Sequence, residues 1–187
     1  MKKAVLALLI AGLPTGLWTF AVSAQSPKAP VARPPSERGR ERLEREVRHE
    51  LVMLPFYGVF DNFQYRVDGD KVTLMGQVTR PTLKSDAEKA VKNIEGVAQV
   101  INQIEVLPLS PNDDNIRMAV YRAIYGTPGL DRYAMRAVPT IHIIVKNGNV
   151  TLEGAVAREM DKTLVYVKAN GVAGVFKVTN NLMVTRE

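Results

Sequence analysis

Two stretches of this sequence repeat each other at a constant separation. The motif Val-Thr-Leu-x-Gly-x-Val occurs at 72–78 and again at 150–156, an offset of 78 residues. The same offset aligns a second motif, Gly-Val-x-x-Val-x-Asn-x-Ile/Leu-x-Val, at 96–106 and 174–184. A duplicated sequence at a fixed offset indicates a duplicated structural unit. The sequence therefore predicts two copies of one small domain in place of a single larger one.

Each copy contains two segments with the apolar spacing of a helix that is buried on one side. The first helix is expected at 40–53 in copy one and at 112–125 in copy two. The second helix is expected at 82–95 and at 159–172. The first helices align at an offset of 73 instead of 78, so copy two carries five additional residues, which fall within 126–139.

Alternating apolar residues between the two helices predict a two-stranded hairpin in each copy. The predicted turns are Asp68-Gly69 and Asn147-Gly148, because Asp, Asn and Gly tolerate the positive φ of two-residue hairpin turns. A final strand is expected within each occurrence of the second motif. The predicted fold class is therefore α+β, with two tandem αββαβ domains that each place two helices on one face of a small three-stranded mixed sheet.

The N-terminal part of the sequence predicts that the protein is exported. Two lysines, an apolar run and a small-residue Ala-x-Ala-like site predict a cleaved signal peptide at 1–24. A membrane anchor is the alternative, but glycines and a proline interrupt the run. A proline-rich flexible linker is expected at 25–35, followed by domains at 36–107 and 110–185. We expect a periplasmic protein, although secretion beyond the periplasm is an open alternative.

Composition narrows the classes of function. The chain has no cysteine, which excludes disulfides, thiolate metal sites and a lipoprotein anchor. Removal of the signal peptide would lower the formal net charge from +6 to +4. This mildly basic balance suits an anionic membrane surface, but it lacks the dense basic stripe of a nucleic-acid protein. We expect no nucleic-acid partner.

Residues with catalytic chemistry are scarce. The two histidines, His49 and His142, have no partner at metal-ligand spacing. Nucleophile, phosphate-loop and dinucleotide motifs do not occur. We therefore expect no enzyme activity, no cofactor and no metal site.

The two repeated motifs resemble the BON domain of bacterial osmotically inducible and nodulation proteins. The resemblance covers about 36–107 and 110–185. It implies a periplasmic protein, similar to those of osmotic stress, whose domains bind phospholipid or stabilise the envelope without catalysis. The absence of cysteine departs from the lipoprotein members of the family, so membrane contact would be peripheral and reversible.

Four glycines of the repeat are predicted to have structural roles. Gly76 and Gly154 lie inside strand patterns, where glycine marks a bulge or a close backbone approach, here expected to a crossing helix. A ligand pressed against bare backbone is the alternative. Gly96 and Gly174 lead into the final strands.

The first helix of copy two is unusual because aromatic and basic residues occupy the side opposite its apolar stripe. Tyrosine and arginine together suit the headgroup level of a membrane. The predicted lipid or partner contact comprises Arg117, Met118, Tyr121, Arg122, Tyr125, Arg132, Tyr133 and Arg136. Packing of this helix against copy one is the alternative interpretation.

These observations favour a binding protein that associates with anionic phospholipid or other envelope components, in osmotic or envelope stress. A protein-interaction or chaperone-like module without lipid binding is the second hypothesis. The oligomeric state is left open.

Overall fold

A computed structural model describes residues 37–136 and 138–185. The predicted signal peptide and linker, 1–24 and 25–35, lie outside the described residues. Both repeats belong to one compact unit. Within the described ranges, no helix has the length and apolar character needed to cross a bilayer.

Both copies contain the same order of elements. Copy one consists of α1 (Glu37–Val52), β1 (Asn62–Asp68), β2 (Lys71–Val78), α2 (Pro81–Lys92), β3 (Gln99–Asn102) and β4 (Glu105–Val106). Copy two consists of α3 (Pro111–Tyr125), a 3-10 turn (Asp131–Ala134), β5 (Ile141–Lys146), β6 (Asn149–Val156), α4 (Glu159–Asn170), β7 (Lys177–Asn180) and β8 (Met183–Val184). The 3-10 turn lies in the additional segment of copy two.

Each copy forms one small mixed sheet with the hairpin strand β2 or β6 in the centre. In copy one, β1 pairs with β2 antiparallel, whereas β3 and β4 pair with the other side of β2 in parallel. Copy two repeats this arrangement with β5 at the edge. The predicted α+β class, with two tandem domains of helices on a mixed sheet, is confirmed.

The final strand of each copy is interrupted, a detail that the sequence pattern did not predict. An asparagine side chain causes the break: Asn102 Oδ1 accepts a hydrogen bond from the amide of Ile104 at 3.1 Å. Its Nδ2 donates to the carbonyl of Lys84 in α2 at 2.9 Å. Asn180 makes the equivalent bonds to Leu182 and Lys162 in copy two. The repeated asparagine therefore joins the final strand to the second helix.

The two hairpin turns differ. In copy two, Asn147 and Gly148 both have positive φ, 52° and 72°, as predicted for a type I′ turn. In copy one, Asp68 pairs with Lys71, so the turn residues are Gly69-Asp70 and not the predicted Asp68-Gly69. Only the first of these has a positive φ, 68°, which is the pattern of a type II′ turn.

The helices cover one face of each sheet, and each copy has its own apolar core. Copy one buries Leu43, Val47 and Leu51 of α1 against the sheet. Copy two buries Ile116, Val120 and Ile124 at the equivalent positions. The start of α3 is fixed by Ser110, whose side chain accepts from the amide of Asp113.

The strand glycines permit a close approach of two backbones. A Cβ on Gly76 would lie 2.0 Å from the carbonyl oxygen of Asn62, and one on Gly154 would lie 2.1 Å from that of Thr140. Both glycines also have φ near +110°. The close neighbour is the backbone at the start of β1 or immediately before β5, not a crossing helix as expected. The structural role of these two glycines follows from that contact.

The copies meet where the α1–β1 loop of copy one reaches β5. The amide of Ile143 donates to the carbonyl of Val59 at 2.8 Å. The ring of His142 stacks on that of Tyr57, and the ring of Phe60 contacts Tyr121 edge-on. Burial raises the pKa of Tyr57 to about 12. The junction is thus apolar and aromatic at its centre.

Candidate functional site

The predicted contact residues on α3 do not form one exposed surface. Arg117 and Tyr125 are buried, at 5% and 8% exposure, and Tyr121 is half-buried. Only Met118 and Arg122 face solvent. The helix therefore presents far less of its aromatic side than its sequence pattern indicated.

Arg117 and Tyr125 are hydrogen-bonded to the edge strand β5. The Nη2 of Arg117 donates to the carbonyl of Val145 at 2.8 Å, and the hydroxyl of Tyr125 donates to the carbonyl of Ile141 at 2.7 Å. Burial raises the pKa of Tyr125 above its ordinary value, so the hydroxyl keeps its proton as a donor. The expectation that these two side chains face a membrane is wrong, because both satisfy buried backbone groups.

The position of Tyr121 agrees with the alternative interpretation of the sequence, in which α3 packs against copy one. Its ring lies between those of Phe60 and Tyr125, with centroid distances of 6.2 Å and 4.8 Å. This part of α3 therefore packs against copy one.

The additional segment of copy two brings its basic residues to a different place. Tyr133 is buried in the 3-10 turn, where its hydroxyl donates to Asp161 and accepts from the amide of Ala157. Arg132 forms an ion pair with Asp161 and lies over the Tyr133 ring, 4.8 Å from its centroid. The hydrogen bond to Tyr133 contributes most to raising the pKa of Arg132. Tyr133 thus anchors the segment to α4, and its predicted membrane exposure is wrong.

A cleft of about 310 Å³ opens beside this anchor, and we refer to it as the arginine cleft. Its lining comprises Arg132, Tyr133, Arg136, Thr140, Ala155, Val156, Ala157 and Thr185. Arg136 is exposed and has no ion-pair partner within the described ranges. The hydroxyl of Thr140 is buried without a hydrogen-bond partner there.

The electrostatics of the arginine cleft suit an anion. Asp161 compensates the charge of Arg132, which leaves Arg136 as an uncompensated positive charge at the mouth. Guanidinium groups bind phosphate and carboxylate oxygens through paired hydrogen bonds. The Thr140 hydroxyl, which has no hydrogen-bond partner among the described residues, belongs to a residue of the same lining. The cleft therefore presents the guanidinium donors that a small anionic group requires.

No group of three or more His, Asp or Glu residues is arranged to hold a metal ion across 37–136 and 138–185. His142 is buried at the junction, and burial lowers its pKa below the ordinary value.

Sequence reasoning identified Arg132 and Arg136 but missed Asp161 and Thr140. Asp161 stands in the first turn of α4, where an acidic residue has an ordinary role at a helix N-terminus. Its pairing with Arg132, 29 residues earlier, carries no sequence signal. Thr140 corresponds to Asn62 of copy one at the repeat offset of 78, and a single threonine before a strand carries no sequence signal of a binding site.

A family model for the BON domain matches the chain twice, at residues 40–108 and 112–186. These matches cover most of the sequence and agree with the repeated αββαβ order. The chain belongs to the BON domain family. BON domains in general bind phospholipid or other components of the cell envelope.

Two solved structures are distant likenesses of this chain. One is CdsD, a structural protein of the type III secretion system of Chlamydia trachomatis, at 13% identity and a TM-score of 0.32, with 78% of this chain and 93% of that chain covered. The C-terminal domain of CdsD matches at 12% identity and a TM-score of 0.28, with 76% and 97% covered. No sequence among curated proteins matches this chain.

Proposed function

We propose that this protein is an exported, periplasmic envelope protein that binds anionic phospholipid headgroups at the arginine cleft of its second copy. The observation that carries the proposal is the uncompensated Arg136 beside a buried, unpartnered Thr140 hydroxyl. Membership in the BON family supports a lipid or envelope ligand. Binding would be peripheral, with no catalytic step, and a role in osmotic or envelope stress would follow from reversible attachment.

Physical chemistry favours a headgroup phosphate over the lipid tail as the group that is recognised. The cleft lining mixes polar and apolar atoms and includes two guanidinium groups. A phosphate in contact with arginine makes charge-assisted hydrogen bonds, which are about twice as strong as neutral ones. Exposed Met118 and Arg122 add a second, weaker contact if α3 faces the same bilayer.

Co-sedimentation with vesicles tests the proposal. The purified protein is mixed with phosphatidylglycerol vesicles and with neutral phosphatidylcholine vesicles at two salt concentrations. We expect binding to the anionic vesicles that weakens as salt rises, because exposed charges are screened. Arg136→Gln should reduce binding about fivefold or more, the effect of losing roughly 1 kcal/mol of charge-assisted contact.

Arg66→Gln is the matched control. Arg66 is an exposed arginine on β1 whose side chain pairs with exposed Asp68 at 3.6 Å. The control removes the same charge, so both variants lower the net charge equally. Equal loss of binding in the two variants would mean that net charge alone attracts the protein, and the arginine cleft would be rejected. Absence of binding to either vesicle would reject phospholipid as the ligand.

A further inference from the structure

Both copies follow their first helix with a tight turn that contains a proline. In each turn the last amide donates to the carbonyl three residues earlier, at 3.3 Å in residues 54–57 of copy one and at 3.0 Å in residues 127–130 of copy two. The residue after the proline has a positive φ in both, as a type II turn requires. Copy two places Gly129 there, at φ 88°, whereas copy one places Phe56 there, at φ 68°.

A phenylalanine at this position of the turn is unfavourable in two respects. A Cβ crowds the backbone in the left-handed region, and glycine avoids that crowding. The ring of Phe56 is also 72% exposed, so little of its apolar surface is removed from water. The turn itself needs only the glycine that copy two has at this position. Because strained residues cluster at functional sites, the exposed ring of Phe56 is a candidate contact.

Phe56 ends a short exposed apolar segment, residues 52–56, and a basic residue lies beside it. Val52 and Met53 are 45% and 66% exposed. Arg80, the residue before α2, lies over the Phe56 ring, 4.7 Å from its centroid. Among the described residues, no acidic side chain pairs with Arg80. Exposed apolar side chains next to an uncompensated guanidinium are typical of a peripheral contact with an anionic membrane.

Contacts connect this apolar segment to the part of copy two that holds the arginine cleft. The residue after the segment, Tyr57, stacks its ring on His142, with centroids 5.6 Å apart. The Nδ1 of His142 also lies 3.3 Å from the carbonyl oxygen of Gly58. His142 comes two residues after Thr140, which lines the arginine cleft. The segment is therefore joined directly to the strand that begins at the cleft.

We infer, on the basis of the proposed function, that Phe56 and Met53 insert into the interface of the anionic bilayer whose headgroups the arginine cleft binds. The plane of a guanidinium stacks on an aromatic ring while its N–H edges bind phosphate. Arg80 therefore meets headgroup phosphates at the level where the Phe56 ring enters the acyl boundary. Charge favours the bilayer over a protein as the occupant, because Arg80 and Arg136 both lack acidic partners among the described residues.

Co-sedimentation with phosphatidylglycerol vesicles, combined with thermal unfolding, tests the insertion on the purified protein. Phe56→Gly should weaken vesicle binding about tenfold, which is part of the value of burying a phenylalanine side chain. The factor should be the same at low and high salt, because salt does not screen an apolar contact, whereas the loss in Arg136→Gln should shrink as salt rises. The melting temperature of Phe56→Gly should not fall, because glycine relieves the crowding at positive φ.

Phe176→Gly is the matched control, since Phe176 is 81% exposed and lies against Gly148 at the hairpin turn of copy two. The arginine cleft lies at the other end of β6. The control should leave vesicle binding unchanged, and Phe56→Trp, which keeps an interfacial ring, should retain it. Equal losses in the two glycine variants would mean general apolar adhesion and would overturn the inference. A lower melting temperature in Phe56→Gly would show that the ring holds the turn, with the same consequence.

The same vesicle assay separates this inference from the proposed function. Unchanged binding of Phe56→Gly beside reduced binding of Arg136→Gln would overturn the insertion and leave the arginine cleft intact. The opposite result would reject the cleft and support the insertion. Failure of the unmodified protein to bind either vesicle would reject both. Sedimentation without vesicles is the second measurement: self-association that Phe56→Gly abolishes would identify a second copy of this chain as the occupant and overturn the choice of a bilayer.

Discussion

The two copies have equivalent apolar cores but differ at the edge of the sheet. In copy two, Arg117 and Tyr125 donate to the outward carbonyls of β5, and copy one supplies the third contact. In copy one, Glu44 and Val52 occupy the same positions and leave β1 open. The same fold can therefore keep the apolar positions of its first helix while the polar positions change. In one copy they hydrogen-bond to the edge strand, and in the other they do not.

The first helices show the same divergence in their charges. On α1, Arg40 pairs with Glu44 and Arg42 with Glu46 at the exposed surface. Exposed pairs of this kind contribute only about 0.3–0.5 kcal/mol each. On α3, the buried Arg117 donates a hydrogen bond to the backbone carbonyl of Val145. Loss of this bond would leave that buried carbonyl without a partner. Equivalent helices therefore differ most in what their polar residues contact.

The largest expected contrast concerns Asp113 and its counterpart Arg40. Asp113 is 1% exposed, and its carboxylate accepts from the turn amides of Asn147 and Gly148, each at 2.8 Å. Asp113→Ala should lower the free energy of unfolding by about 3 kcal/mol, because two amides of the turn lose a charged acceptor. Arg40→Ala should change it by less than about 0.5 kcal/mol. Denaturant unfolding measures both, and similar values for the two variants would contradict the asymmetry.

A smaller contrast is expected for the edge covers. Tyr125→Phe removes the hydrogen bond to Ile141 and should cost about 1–2 kcal/mol, because a buried carbonyl loses its donor. Val52→Tyr places a hydroxyl at the equivalent edge and should stabilise copy one by about 0.5–1 kcal/mol. Thermal unfolding followed by circular dichroism compares the two. Destabilisation by Val52→Tyr would show that the space between α1 and β1 has no room for the ring.

The sequence predicted the fold well because the fold depends on local patterns that occur twice. The helix spacing and the hairpin turns are each encoded within a few neighbouring positions, although the copy-one turn lies one residue later than predicted and the break made by Asn102 and Asn180 was not predicted. The sequence left open whether the aromatic side of α3 faces a membrane or copy one. Its contacts with β5 and with Phe60 join segments that are distant in the sequence. The same limit applies to Asp161 and Arg132. Contacts between distant segments leave no periodicity in either segment.

The smallest expected effect separates the two histidines, His142 at the junction and His49 on the exposed surface of α1. Burial lowers the pKa of His142 and outweighs the backbone hydrogen bonds of Gly58 and Asp61, which raise it. A histidine with a lowered pKa in the folded state is neutral in both states above the unfolded value of about 6.5. Stability is therefore fully present above that pH and falls as the pH drops below it, because only the unfolded state takes up the proton.

The melting temperature measured from pH 8 to pH 5 tests this sign. His142→Gln should remove part of the decrease below about pH 6.5, the ordinary pKa of histidine. His49→Gln should leave the profile unchanged, because its side chain is exposed on α1. An unaltered profile in His142→Gln would mean that the junction accommodates a protonated imidazole. The two copies would then show no difference in pH dependence. The contrast between the edges of β1 and β5 would rest on the hydrogen bonds that Arg117 and Tyr125 donate to β5.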